Sequence, residues 1–259
     1  MRKKVLIALI ILIAVAGIFF VVTFNQMTDE VETYAPIKEG KEDRIVFFDI
    51  GDGDREYLAQ LIDSIQKCNP KVLAIDIFFE DLKDARKDSL LMASLNSSNI
   101  VLATKHDGYR TTNVHENFLE QVDAYGYAQS KMRGRYTSDA VYFTKGKDNH
   151  FSVEIAKMYD PELNMDYINE RRDQETDIKF TRLEHQFKIY PFKDFDFNCT
   201  EIEGKIAYMG PFSNNEDLHV TKARYHEKSK KFEGVKNEPD MHGSIVVVNQ
   251  VLMILDQIE

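Results

Sequence analysis

Two short apolar runs, Ile45–Ile50 (IVFFDI) and Val72–Phe79 (VLAIDIFF), limit what this chain can fold into. Neither shows the polar alternation of a half-exposed strand. Each carries one aspartate, Asp49 and Asp76. Such runs suit strands buried on both faces, as in a parallel sheet covered by helices. Between them Leu58, Leu61, Ile62 and Ile65 recur at i, i+3, i+4 and i+7, which is one stripe of a helix. Asp54 stands where that helix needs a cap, and Cys68-Asn69-Pro70 stops it. The unit reads β-α-β.

The pattern then continues. After a polar turn, Glu80–Lys87, Asp88 starts a second helix with Leu91, Met92 and Leu95 facing inward. Asn96-Ser97-Ser98-Asn99 ends it, and Ile100–Thr104 (IVLAT) reads as a third buried strand. This β-α-β-α-β start predicts a layered α/β domain with a mainly parallel sheet. The middle, Lys105–Phe197, is more polar and reads as a β-containing insertion. Ala140–Lys145 and Ile178–Arg182 look like strands. Phe151–Tyr159 looks like a short helix stopped by Asp160-Pro161, and Leu163–Glu175 looks mostly exposed. Gly204–Gly210 is another short strand, and Phe212–Asp240 is polar and loop-like. Ser244–Ile258 is apolar on most faces, which predicts a buried helix. It is too short to span a bilayer, and Asn249, Gln250 and Asp256 also argue against spanning.

Ahead of all this lies MRKK and then Val5–Phe24, apolar apart from Gly17 and Thr23. About 20 such residues suffice to cross a bilayer as a helix. The basic tip stays in the cytoplasm, which places the rest outside. A cleaved signal peptide with Ala14-Val15-Ala16 at its end competes, but the apolar run continues well past that site. The expected organisation is residues 1–24 as cytoplasmic tip and transmembrane helix, 25–43 as an acidic linker, and 44–259 as an extracytoplasmic domain, periplasmic or extracellular, on a single-pass anchor.

The formal charge is −10; residues 1–24 contribute +3, so the remainder carries −13. A domain this acidic repels nucleic acid phosphates. It suits a cationic ligand, or simply solubility. The two cysteines, Cys68 and Cys199, form no C-x-x-C motif, which excludes a zinc knuckle or thioredoxin-like site. Outside the cytoplasm the pair can form a disulfide, which sequence alone does not decide; the preferred reading is two separate, partly buried thiols.

Asp49, Asp52 and Asp76 are expected to gather at the carboxyl ends of adjacent parallel strands, where open α/β sheets bind ligands. Thr104 ends the third strand at the same edge. Clustered carboxylates suit Ca²⁺ or Mg²⁺, or a polar small molecule; aspartates at these positions also cap turns and helices. The sequence names no particular metal or cofactor. Gly51 and Gly53 fit a turn better than a phosphate loop. His219, His226 and His242 lack metal-ligand spacing. Arg133 and Arg135 suit an anion clamp or a solvated turn. No G-x-S-x-G nucleophile motif is present.

Taken in order, these segments resemble the second family of CHASE-type domains, extracytoplasmic sensor modules found in front of bacterial cyclases and kinases. The resemblance rests on IVFFDIGDGD, KVLAIDIFFED, Asp88–Leu91 with NIVLAT, Ala124-Tyr125-Gly126-Tyr127, Arg133-Gly134-Arg135, FSVEIAKMY, GKIAYMGPF, Asp217 with Thr221, and PDMHG before NQVLMIL. It covers most of Ile45–Leu255. Lys222 stands where the family usually has proline, and Val247 where it commonly has histidine. The resemblance implies a non-enzymatic sensory domain in signal transduction, with Asp217 and Arg135 joining the aspartates and Thr104 as candidate ligand contacts. Family chains usually run on into further transmembrane helices and an output domain. With Glu259 as the last residue, this one is expected to act on an unidentified small ligand through a partner membrane signalling protein. Two rivals remain. A haloacid-dehalogenase-like phosphatase requires D-x-D, whereas Asp49 and Asp52 are spaced D-x-x-D. A structural envelope protein would only dock a membrane partner.

Overall fold

The computed structural model describes residues 37–107, 111–112, 114–133, 136–212, 218–219, 221 and 241–258, with the backbone alone at 111–112, 132–133 and 136–139. The expected anchor, Val5–Phe24, lies outside the described residues, as do Arg135, Asp217 and His226. Among the described residues no helix is long and apolar enough to cross a membrane.

The chain opens with β1 (Ile45–Asp49), α1 (Arg55–Gln66), β2 (Val72–Ile75), α2 (Ala85–Leu95) and β3 (Ile100–His106). The expected β-α-β-α-β start is present. Short β4 (Thr111–Thr112) and α3 (Glu116–Leu119) lead to β5 (Ala124–Tyr127). The insertion holds β6 (Lys131–Arg133), β7 (Tyr136–Tyr142), β8 (Thr144–Lys145), β9 (Asp148–Asn149), α4 (Phe151–Tyr159), α5 (Asp166–Asn169) and β10 (Glu175–Asp177). Then come β11 (Lys188–Tyr190), β12 (Ile206–Gly210), β13 (Leu218–His219), β14 (Met241–His242) and α6 (Gly243–Leu255).

Six strands run parallel in the order β11-β1-β12-β2-β3-β5, and β4 pairs antiparallel with the end of β3. The insertion forms its own antiparallel sheet, β10-β7-β6, and a β8-β9 hairpin. Side chains alternate across the main sheet, so each apolar run feeds two cores at once. Ile45, Phe47, Val72, Ala74, Ile206 and Tyr208 pack with α4 and α6. Val46, Phe48, Leu73, Ile75, Ala207 and Met209 pack with α1 and α2. The result is three layers, and it explains why these strands read as unbroken hydrophobic runs. Leu58, Leu61, Ile62 and Ile65 are all buried; each such side chain contributes roughly 1.5–3 kcal/mol. Asp54 caps α1 by accepting the Tyr57 N–H at 3.0 Å.

Several details differ from the sequence reading. The first concerns β1 and β2, which are not adjacent, because β12 lies between them. α2 starts at Ala85 on an Asp84 cap, and Asp88 sits one turn inside, buried and paired with Arg55. Asp88 is needed there because its second oxygen accepts the Lys83 and Asp84 N–H groups. Ile178–Arg182 is not a strand. Its backbone is read by a side chain instead: Asn249 of α6 accepts the Thr181 and Arg182 N–H groups and donates to the Arg182 carbonyl. Within the polar stretch Leu163–Glu175, Tyr167 and Ile168 are buried, and the Tyr167 hydroxyl donates to the Ile258 carbonyl at 2.7 Å.

The two cysteines are not separate thiols. Cys68 and Cys199 form a disulfide across 131 residues of sequence. The inserted strand is the cause. The chain entering β12 passes the end of α1, where Gly204 N–H donates to Asn69 O and Lys71 N–H donates to Lys205 O.

Residues just before β1 are also held. Lys38 N–H donates to Thr181 O, Glu42 N–H donates to Gln186 O, and Gln186 Nε2 donates to the Lys38 and Gly40 carbonyls. Arg44 joins this incoming segment to the end of α6. It pairs with Glu42 at 2.8 Å and with Asp256 at 2.6 Å, while Lys38 pairs with Asp256 at 2.7 Å. Burial alone would raise the carboxyl of Glu42 and that of Asp256. The hydrogen bonds and charge of Arg44, with Arg182 for Glu42 and Lys38 for Asp256, outweigh it and hold both below the usual range.

Candidate functional site

The carboxyl edge of the parallel sheet carries the aspartates. Asp49 ends β1 and pairs with Gly210 of β12. On the other side of β12, Ile75 pairs with Met209, so Asp76 comes level with Gly210. Asp49, Gly210 and Asp76 therefore form one row across three strands, spanning roughly 10 Å at the usual inter-strand spacing. Strand alternation turns all three toward the α4–α6 face, the face of Phe47, Ala74 and Tyr208. The expectation that the two aspartates sit on neighbouring strands is corrected here: a glycine separates them.

That glycine matters for packing. A Cβ at Gly210 would lie 2.5 Å from Ser244 Oγ, so the bare backbone seats the first turn of α6. Ser244 is fully buried, and its hydroxyl has no hydrogen-bond partner among the described residues. His242, just ahead of α6, gives no side-chain cap. Its Nδ1 instead meets Glu184 Oε2 at 2.7 Å, and its ring packs on Phe212.

Each carboxylate is anchored. Asp49 Oδ1 accepts the Gly51 and Phe212 N–H groups, both at 3.0 Å, which fixes the turn after β1 and the exit from β12. Asp76 Oδ2 accepts the Tyr208 hydroxyl at 2.7 Å. The capping role weighed for Asp49 is thus real.

The other candidates separate. Asp52 is exposed in the turn, away from the row. Thr104 is fully buried with its hydroxyl unpartnered among the described residues, but alternation from Leu102 puts it on the opposite, α1–α2 face. Arg133 is described by its backbone alone, in β6. Val247 packs in the core. Gly210, Ser244 and Tyr208 were not singled out from sequence. Their nearest signal was the order of GKIAYMG and the M-x-G helix start, which carries no pairing information. Among the described residues no group of three or more His, Cys, Asp and Glu is placed to hold a metal ion. A shallow groove of about 390 Å³ between α1 and α2, lined by Glu56, Gln60, Arg86 and Leu90 among others, lies on the far face from this row.

The row occupies a topological switch point. β1 and β2 are followed by α1 and α2 on one face, whereas α6, the next helix after β12 among the described residues, lies on the other. Parted connections of this kind leave the crevice in which α/β sheets take ligands. The family model of the CHASE2 domain matches residues 49–255, from the aspartate of this row to the last residue of α6. The chain belongs to the CHASE2 family. CHASE2 domains are extracytoplasmic sensor domains, so the role of this one is sensory. No curated protein and no solved structure matches the chain.

Proposed function

We infer that this CHASE2 domain is held outside the cytoplasm by a helix over Val5–Phe24. There it binds a small polar ligand at the carboxyl edge of its sheet and signals through a partner membrane protein without catalysing a reaction. One observation carries the reading. Two carboxylates flank a glycine at the switch point, with the buried Ser244 hydroxyl facing the gap. The Cys68–Cys199 disulfide supports the location, since such bonds persist in oxidising compartments. The commitment of Asp49 Oδ1 to two backbone amides supports a positioning and binding role over a nucleophilic one.

Thermal unfolding of the full chain in detergent, against metal ions, nucleotides, amino acids and sugars, tests the reading. A ligand of the native state raises the melting temperature by mass action. Asp76→Asn keeps an acceptor for Tyr208 and removes the charge. A shift present in the native chain and lost in Asp76→Asn is expected. A shift that survives both Asp76→Asn and Asp49→Asn moves the ligand elsewhere.

A further inference from the structure

α6 touches the carboxyl edge at one end and the incoming segment at the other. Its first turn rests on Gly210, with Ser244 Oγ 2.5 Å from where a Cβ would sit. Ser244 to Ile254 are buried without a break. Thirteen helical residues extend about 20 Å. Midway, Asn249 holds the backbone of Thr181 and Arg182, and Thr181 O in turn accepts the Lys38 N–H. At the far end Asp256 is gripped by Arg44 and Lys38. The segment that leads into the domain is therefore tied to α6 at two separate points, and α6 is seated on the row at a third.

We propose that α6 is the transmitting rod of this sensor: a displacement of Ser244 at the Asp49–Gly210–Asp76 row moves α6 as a unit and loosens residues 38–44. This rests on the reading that ligands act at the carboxyl edge and adds how their presence reaches the chain's incoming segment. The physical basis is close packing. A helix buried on every side has no soft region in which to absorb a push at one end, and packed helices respond by shifts of about 1–2 Å. The Arg44–Asp256 hydrogen bond, at 2.6 Å, is stretched past hydrogen-bonding distance by a shift of that size. The opposite face is separate, because α1 and α2 pack in the other core.

The test needs no ligand, so it fails or succeeds independently of whether one is found. Gly210→Val in the full chain, purified in detergent, imposes the push directly. Amide hydrogen exchange is read in peptides covering residues 37–44, 179–187 and 55–66. At least a tenfold faster exchange in 37–44 and 179–187, with 55–66 unchanged, is expected. Faster exchange confined to residues near 206–212 and 243–248 overturns the proposal, because the push is then absorbed locally. If Gly210→Val does not fold, Gly210→Ala takes its place. Adding Ser244→Ala, which removes the clashing oxygen, must then restore slow exchange in 37–44. No acceleration in 37–44 with Gly210→Ala, or no restoration by Ser244→Ala, counts equally against the rod.

Discussion

Burial of His150 should make the native domain sensitive to acid, and replacing it by asparagine should remove part of that sensitivity. The ring is fully buried at the start of α4, where Nδ1 accepts the Ser152 N–H at 3.2 Å and the imidazole packs edge-on against Tyr127. Burial, helped by the nearby Lys145 charge, pushes its pKa down from 6.5 to about 3. The unfolded chain therefore takes up a proton near pH 6.5 that the folded chain refuses until near pH 3. Between those values stability falls with falling pH by about 1.4 kcal/mol per unit, roughly 4–5 kcal/mol in all. That compares with a total of about 5–15 kcal/mol for an ordinary domain. Asparagine is a good cap and keeps the acceptor for Ser152. Its smaller volume costs a fixed amount, about 1–3 kcal/mol. Urea unfolding followed by circular dichroism, from pH 7.5 to 4, should show His150→Asn less stable at neutral pH. The two stabilities should cross near pH 5, with the variant more stable below. A difference between the two that stays constant with pH would refute the argument.

Other outcomes follow from single contacts. Asn249→Ala leaves the buried Thr181 and Arg182 backbone groups without their partner and should cost about 3–5 kcal/mol in urea unfolding. A loss below about 1 kcal/mol would mean that another group takes over. Cys68→Ala with Cys199→Ala should lower stability by about 2–5 kcal/mol, the usual return from closing a long loop. Reductant should then weaken the native chain and leave the variant unaffected.

The legible parts of this fold were those written locally. The β1-α1-β2 unit, the third strand, α4 and buried α6 are each written in one contiguous stretch, as an apolar run or, in α1, as a helical stripe. Asp54 announces its cap because cap and helix are neighbours in sequence. What sequence hid was pairing. Nothing in GKIAYMG says that it slides between two strands formed more than 130 residues earlier, so the aspartate row and the disulfide were hidden together. Ile178–Arg182 has strand composition, yet its backbone partner is one asparagine side chain on a distant helix. Asp88 looked like a cap because caps and buried ion-pair aspartates use the same residue. At the candidate site, the charged members were legible from residue type. Gly210 and Ser244 were not, because a missing side chain and a small hydroxyl gain meaning only once the strands are in register.

The central place of β12 also governs how the domain can be made. During synthesis β1 and β2 emerge early, but each has one edge that only residues 206–210 can fill. Until then two apolar strands offer unpaired backbone edges to any other chain. β2, β3 and β5 can pair as they emerge, but joining β1 to them waits on a contact of long sequence separation, which is slow and exposed to aggregation. In a chain with this topology β1 and one edge of β2 stay open until residues 206–210 have been synthesised, a property suited to passage through a translocation channel. On the reading that the domain lies outside the cytoplasm, the same delay predicts a need for holding factors there. Depleting such factors should harm it more than it harms domains whose first strands pair with each other.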